Sequence, residues 1–209
     1  MGRDPASVSV LAVSKAVSVE RLSLALAAGI TQLGENRVQE AEAKAPLLSG
    51  VQWHLVGHLQ SNKAARAIAL FEQIHSVDSV GLAQRLDRLQ AATGDAGRPA
   101  VYLQVNVDDD SGKSGFAPSR LGDELGQLAE LASLELRGLM TVGRLTARAE
   151  EARSTFRRLR ELAERLRAGE PRLGGGLSMG MSDDFEVAVE EGATVVRVGR
   201  AIFGDRPAD

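Results

Sequence analysis

Lys15 is the side chain best placed for covalent chemistry. It closes the run Val8-Ser9-Val10-Leu11-Ala12-Val13-Ser14-Lys15, which reads as a short apolar strand rich in β-branched residues. An ammonium is a poor packing choice there. Burial penalises the charged form of a lysine and favours its neutral amine, and a neutral amine attacks an aldehyde to form a Schiff base. A solvated lysine at a strand end is the other reading this stretch allows.

Two further stretches near the carboxyl end bear on that choice. Ser178-Met179-Gly180-Met181-Ser182-Asp183-Asp184 leaves one strand and opens a helix, and Arg197-Val198-Gly199-Arg200 leaves the next strand and enters a turn at 201–204. The glycines let backbone N–H groups approach an anion, and Ser182 offers a hydroxyl that also suits a cap for a helix beginning near Asp183. A phosphate cradle and a plain cap-and-turn both fit. Alternation along the last strand sends Val196 and Val198 outward and Arg197 inward with Val195. An inward guanidinium needs a partner, either a buried glutamate or a ligand acceptor. A Schiff-base lysine, a phosphate cradle and a buried arginine together suggest pyridoxal 5′-phosphate (PLP), with Arg197 facing the pyridine nitrogen. A cation there disfavours ring protonation and so weakens the ring as an electron sink.

The elements that must position these residues alternate regularly. Strands are expected at 8–15, 32–36, 51–57, 73–77, 100–107 and 134–142, then one after the triple glycine at 174–176 and one at 194–198, and helices at 18–28, 37–48, 61–71, around Leu82, Leu86 and Leu89, around Leu121, Leu125 and Leu128, and at 147–168 and 183–191. Eight strand–helix alternations argue for a parallel sheet closed into a single-domain (β/α)8 TIM barrel over residues 1–209. An open doubly wound sheet would want G-x-G-x-x-G after an early strand, and none follows the first. In barrels of this kind the site lies at the carboxyl ends of the strands, with phosphate often held after strands seven and eight. Lys15, Asn36, His54, Asn106, Met140 and the 179–184 loop are expected at those ends.

Composition bounds the function. A net charge of −3 and 3% aromatic residues give no sign of a nucleic-acid surface. With no cysteine, disulfides and thiolate metal sites are excluded. No run is long and apolar enough to span a membrane, and a cytoplasmic protein is expected. His54 and His58 stand four apart, as in a zinc motif, but on a strand that spacing does not converge, so no metal is expected. Asp108-Asp109-Asp110 reads as a solvated loop, and Lys113 as a surface lysine that could cover the barrel mouth.

Eight ordered segments carry a family resemblance: LAVSK (11–15), GENRVQE (34–40), WHLVGHLQSNK (53–63), HSVDS (75–79), VNVDDDSGKSGF (105–116), GLMTVG (138–143), LSMGMSDDFEVAVEEGATVVRVG (177–199) and AIFG (201–204). By these the chain resembles the pyridoxal phosphate homeostasis proteins (the YggS/PROSC family), whose barrel is similar to the N-terminal domain of alanine racemase. The resemblance implies PLP held as a Schiff base on Lys15, Ser182, Gly199 and Arg200 around the phosphate, Arg197 at the ring nitrogen, and Asn36 close to the cofactor. It implies a monomer that binds PLP and hands it to apo PLP-dependent enzymes without robust turnover. Three departures stand out. The helix that usually precedes the first strand is lacking, which questions closure of the barrel bottom. Asp110 stands where a glutamate is usual, and Arg200 stands where a small hydroxyl residue is usual. The alternative is a PLP-dependent racemase-like enzyme. Racemases of this barrel type use a second, β-rich domain that supplies a tyrosine base, whereas here the one tyrosine, Tyr102, is on the fifth strand and Lys15 is the one visible base.

Overall fold

The computed structural model describes residues 2–143 and 147–204. Eight parallel strands close on themselves in chain order: β1 (Ser9–Val13), β2 (Gln32–Glu35), β3 (Gln52–Leu55), β4 (Gln73–Val77), β5 (Ala100–Gln104), β6 (Glu135–Met140), β7 (Gly176–Ser178) and β8 (Val195–Val198). The helices between them are α1 (Val19–Ala27), α2 (Val38–Lys44), α3 (Ala64–Leu70), α4 (Val80–Thr93), α5 (Leu121–Ala129), α6 (Arg153–Gly169) and α7 (Phe185–Glu190), and α8 (Arg200–Phe203) follows β8. The barrel closes where β1 pairs with β8 over four residues, Ser9↔Val195 to Ala12↔Val198. Closure therefore does not depend on a preceding helix, and a 3-10 turn at Pro5–Ser7 leads directly into β1. Residues 1, 144–146 and 205–209 of the expected single domain lie outside the described residues.

Side-chain alternation builds two cores. Outward residues such as Leu33, Leu55, Ile74, Leu103, Leu139 and Val196 pack under the helices, while Leu11, Tyr102, Met140 and Val195 form a separate cluster inside the barrel. Gly176 admits the Tyr102 ring to that interior, since a Cβ there would stand 2.8 Å from Tyr102 Cε1. The helix ends follow local chemistry. Ser79 caps α4 by accepting from the N–H of Leu82, and Gly94, at φ 72°, ends it in the left-handed region.

Several elements are shorter than the apolar pattern suggests. Pro46 cannot donate a helical hydrogen bond, so the expected 37–48 helix stops at Lys44 and continues as a 3-10 turn at Ala45–Leu47. Helices three and six likewise begin with 3-10 turns, at Ser61–Lys63 and Ala149–Ala152. β5 ends at Gln104, beyond which Val105 makes an isolated bridge to Phe116.

Candidate cofactor site

At the carboxyl ends of the strands lies a cavity of about 370 Å³, and its lining includes Lys15, Asn36, Ser182, Arg197, Gly199 and Arg200. All six residues singled out from the sequence thus meet in one place. Val56, Val142 and Met181 supply apolar wall.

Lys15 sits two residues beyond β1, and the next residue, Ala16, holds φ 59°. A non-glycine residue in the left-handed region needs the surrounding structure to hold it. A buried knot does so. Ser14 donates its hydroxyl to Glu35 Oε1 at 2.7 Å, and Lys44 Nζ donates to the same oxygen at 2.7 Å and to the Ser14 carbonyl at 2.8 Å. The knot ties the residue before Lys15 to the residue before Asn36. Burial pushes the Glu35 carboxyl up, against the lowering pull of Lys44 and Ser14. Behind Asn36 the backbone is so close that a Cβ on Gly57 would collide with the Asn36 carbonyl.

Opposite, Ser182 Oγ accepts from the N–H groups of Gly199 and Ala201, each at 3.3 Å. The hydroxyl expected to cap the helix near Asp183 therefore caps α8 instead. Asp184 occupies the N-cap position of α7 without a side-chain cap bond, and its Oδ1 instead accepts from the upstream Met181 N–H at 2.6 Å. Gly199 keeps the cradle open, because a Cβ there would stand 3.3 Å from the Val13 carbonyl oxygen. Arg200 is exposed and pairs with Asp183.

Arg197 faces inward as alternation requires and is buried. Among the described residues, no glutamate meets it. Its Nη1 donates to the Ser178 carbonyl at 2.7 Å and the Ser178 hydroxyl at 2.9 Å, and its Nη2 to the Thr141 carbonyl at 2.7 Å. Burial pushes its pKa down to about 10, opposed by the charge of Asp184.

Other candidates fall elsewhere. His54 lies not at the site but in the interior, where it lines a second cavity at the amino ends of the strands. It bonds to His75, while His58 pairs with Asp78 at 3.0 Å, so the two histidines four apart take separate partners. Met140 is buried in the inner cluster. Asn106 spends its amide on its own loop, donating to the carbonyls of Asp110 and Lys113. Lys113 reaches across to the carbonyls of Val142 and Gly143, at the end of β6. Asp108 is held by Thr155 and Arg158. Sequence reasoning missed Ser14, Glu35, Lys44, His75 and Ser178. For Ser14, Glu35, His75 and Ser178 the available signal was a polar residue at an inward or carboxyl-end position of an otherwise apolar strand; Lys44, on α2, carried none.

The alanine racemase N-terminal domain model matches residues 3–207. The pyridoxal phosphate homeostasis protein of Pseudomonas aeruginosa is 44% identical over 98% of this chain and 87% of its own length. The chain belongs to the pyridoxal phosphate homeostasis protein family. Among solved structures of similar proteins, PipY of Synechococcus elongatus with PLP bound superposes with a TM-score of 0.90 at 45% identity, covering 97% of this chain and 95% of that one. Alanine racemase of Clostridium difficile shares the fold at 18% identity and a TM-score of 0.79, and this chain covers 53% of it. Among the described residues, no helix is long and apolar enough to cross a membrane.

Proposed function

We propose that this protein binds PLP covalently on Lys15 and acts in vitamin B6 homeostasis as a carrier without robust turnover. The observation that carries the reading is the convergence of an amine, an N–H cradle and a buried cation on one cavity at the seam of β1 and β8. The residues present fit the cofactor. Lys15 supplies the amine, and the N–H groups of Gly199 and Ala201, now held only by long 3.3 Å bonds, are available to a stronger acceptor such as phosphate. Arg197, on the same lining, would present its charge to the ring nitrogen. Asn36 lines the same cavity as Lys15 and would orient the cofactor, and Arg200, on the same lining, would stand on the phosphate side. Bound PLP supplies an electrophilic aldehyde and a ring able to accept electrons.

The chain's own residues restrain that chemistry. The Arg197 cation disfavours a proton on the ring nitrogen. Two-sided proton transfer needs a second base, and Tyr102 is not at the cavity: it is buried against His75, its ring centroid 4.5 Å away. That placement favours the carrier over a racemase-like enzyme. A cytoplasmic monomer that delivers PLP to apo enzymes is the setting this reading implies, with residues 1–209 as one PLP-binding domain.

Borohydride treatment of the PLP-loaded protein followed by peptide mapping tests the reading. The label is expected on Lys15, with Lys15→Ala folded but without the visible band. A label on Lys63 or Lys113 instead would overturn the assignment.

A further inference from the structure

Four polar side chains stand in file through the barrel interior. Arg197 Nη1 donates to Ser178 Oγ at 2.9 Å, Ser178 Oγ lies 2.8 Å from His75 Nδ1, and His75 Nε2 lies 3.1 Å from His54 Nδ1. All four are buried, and His54 Nε2 has no hydrogen-bond partner. Such a row is costly in an interior unless its members satisfy one another.

Proton accounting gives the row a direction. A guanidinium only donates, so Ser178 Oγ accepts from Arg197. Its own proton then has His75 Nδ1 as acceptor. That makes His75 the Nε2–H tautomer, which donates to His54 Nδ1 and leaves His54 with its proton on Nε2. The reverse order would leave the Ser178 hydroxyl proton without an acceptor. Every donor thus points away from Arg197. Burial holds both rings neutral: His54 is pushed down to about 4, and His75 falls well below its ordinary value, lowered first by burial, then by the repulsion a protonated His54 would exert and by the Arg197 charge.

A carboxylate would hold an arginine as firmly, but would neutralise it. Here, among the described residues, the guanidinium's three bonds go to two carbonyls and one hydroxyl, with no ion pair, and Asp184 acts on it only through space. We propose that Ser178, His75 and His54 form a neutral, one-way hydrogen-bond chain that positions Arg197 and leaves its charge uncompensated toward the cofactor's ring nitrogen. This rests on the PLP-carrier reading above. Ser178 and His75 are then positioning residues: by holding the cation unneutralised they keep the ring unprotonated, and so keep the bound cofactor quiet.

Two measurements test it. In the apo protein, ¹⁵N–¹H correlation spectra of the imidazoles should show both rings neutral at pH 6 with the proton on Nε2. A proton on His75 Nδ1 would overturn the chain. In the loaded protein, His75→Leu and Ser178→Ala should each weaken PLP binding about tenfold, the loss of one bond to a charged group. Each should also make the visible band titrate with pH where the native band does not. His75→Asn, whose carbonyl oxygen stands near the position of Nδ1, should restore both properties. Native affinity and a native band in His75→Leu would refute the proposal. Should that variant not fold, Ser178→Ala and the native spectra decide it. If the native protein takes up no PLP, the carrier reading fails, while the apo spectra still decide the chain.

Discussion

Lys44→Met should destabilise the protein by about 3 kcal/mol at pH 7, a figure that follows from Glu35. The Glu35 side chain is wholly buried, its Oε1 held by Lys44 and Ser14 at 2.7 Å each, its Oε2 without a hydrogen-bond partner. Removing one member of a buried ion pair costs about 3–5 kcal/mol because a charge is left uncompensated. The chain has an escape: Glu35 can take a proton. From an ordinary carboxylate value of 4.5 to pH 7, that costs about 1.4 kcal/mol per pH unit, so about 3 kcal/mol caps this part. Loss of the donor to the Ser14 carbonyl adds about 1 kcal/mol, and the remaining exposure of Lys44 takes a similar amount away. The pH dependence carries the test. A carboxyl whose folded pKa is raised keeps its full stability below the unfolded value and loses it as pH rises through the folded value. Lys44→Met raises that folded value further. The deficit should therefore fall to about 1 kcal/mol near pH 5, where Glu35 is protonated at little cost. Urea denaturation at pH 5, 6 and 7 reads this directly, and the double variant Glu35→Gln/Lys44→Met should recover much of the loss. A deficit under about 0.5 kcal/mol at pH 7, or one equal at all three pH values, would show that Lys44 does not compensate a buried charge.

Other expectations follow from the same geometry. Lowering the pH from 6.5 toward 4 should cost stability, since His54 and His75 have depressed folded values, and each withdraws at most about 1.4 kcal/mol per pH unit. Glu35 works in the opposite direction over part of this range, so His75→Asn should flatten the urea midpoint against pH, and an unchanged slope would contradict neutral buried rings. Alanine or serine incubated with the loaded protein in deuterated water should not exchange its α-proton at enzymatic rates, and rapid exchange by mass spectrometry would favour the enzyme reading. Arg200→Thr should weaken PLP binding by about 1 kcal/mol at low salt and by less at high salt, because the guanidinium is exposed and shared with Asp183. Equal titrations of both proteins at both salts would show that it does not touch the cofactor. Gly57→Ala should displace the Asn36 backbone, and an unchanged PLP affinity and unfolding temperature would show that the close approach matters to neither site nor fold.

What was legible in the sequence is what local pattern encodes. Alternation on β8 placed Arg197 inward, and the eight strand–helix alternations specified the closed barrel. Lys15, Ser182 with Gly199, and Arg197 stood out because a lysine, a serine beside glycines and an arginine at strand ends have no packing use, whereas Asn36 and Arg200 entered through the family resemblance. The partners did not stand out, because they depend on which strands become neighbours. Ser178 reads as an ordinary strand serine until β7 and β4 face each other across the interior. Lys44 reads as a solvated helix residue until α2 carries it back over Glu35. The expected Ser182 cap failed similarly: α8, distant in sequence, takes the hydroxyl with two N–H groups, and α7 starts without a side-chain cap.

The position of the site on the barrel has an energetic consequence. Lys15 follows β1, whereas Gly199 follows β8, and Leu11 pairs with Arg197 across the seam that joins the two ends of the chain. Closing that seam costs the loop entropy of nearly the whole barrel. A ligand anchored on Lys15 and cradled after β8 bridges the seam, so its binding energy opposes the opening of β1 from β8. Binding to the closed form alone stabilises by RT ln(1 + [L]/Kd), about 2.7 kcal/mol at a hundredfold excess over Kd. Exchange protection gained on loading should therefore concentrate at the amides of Ser9–Val13 and Val195–Val198 rather than on the far side of the barrel, at β4 and β5. Gain spread evenly over all eight strands would mean that the seam opens only with the whole barrel.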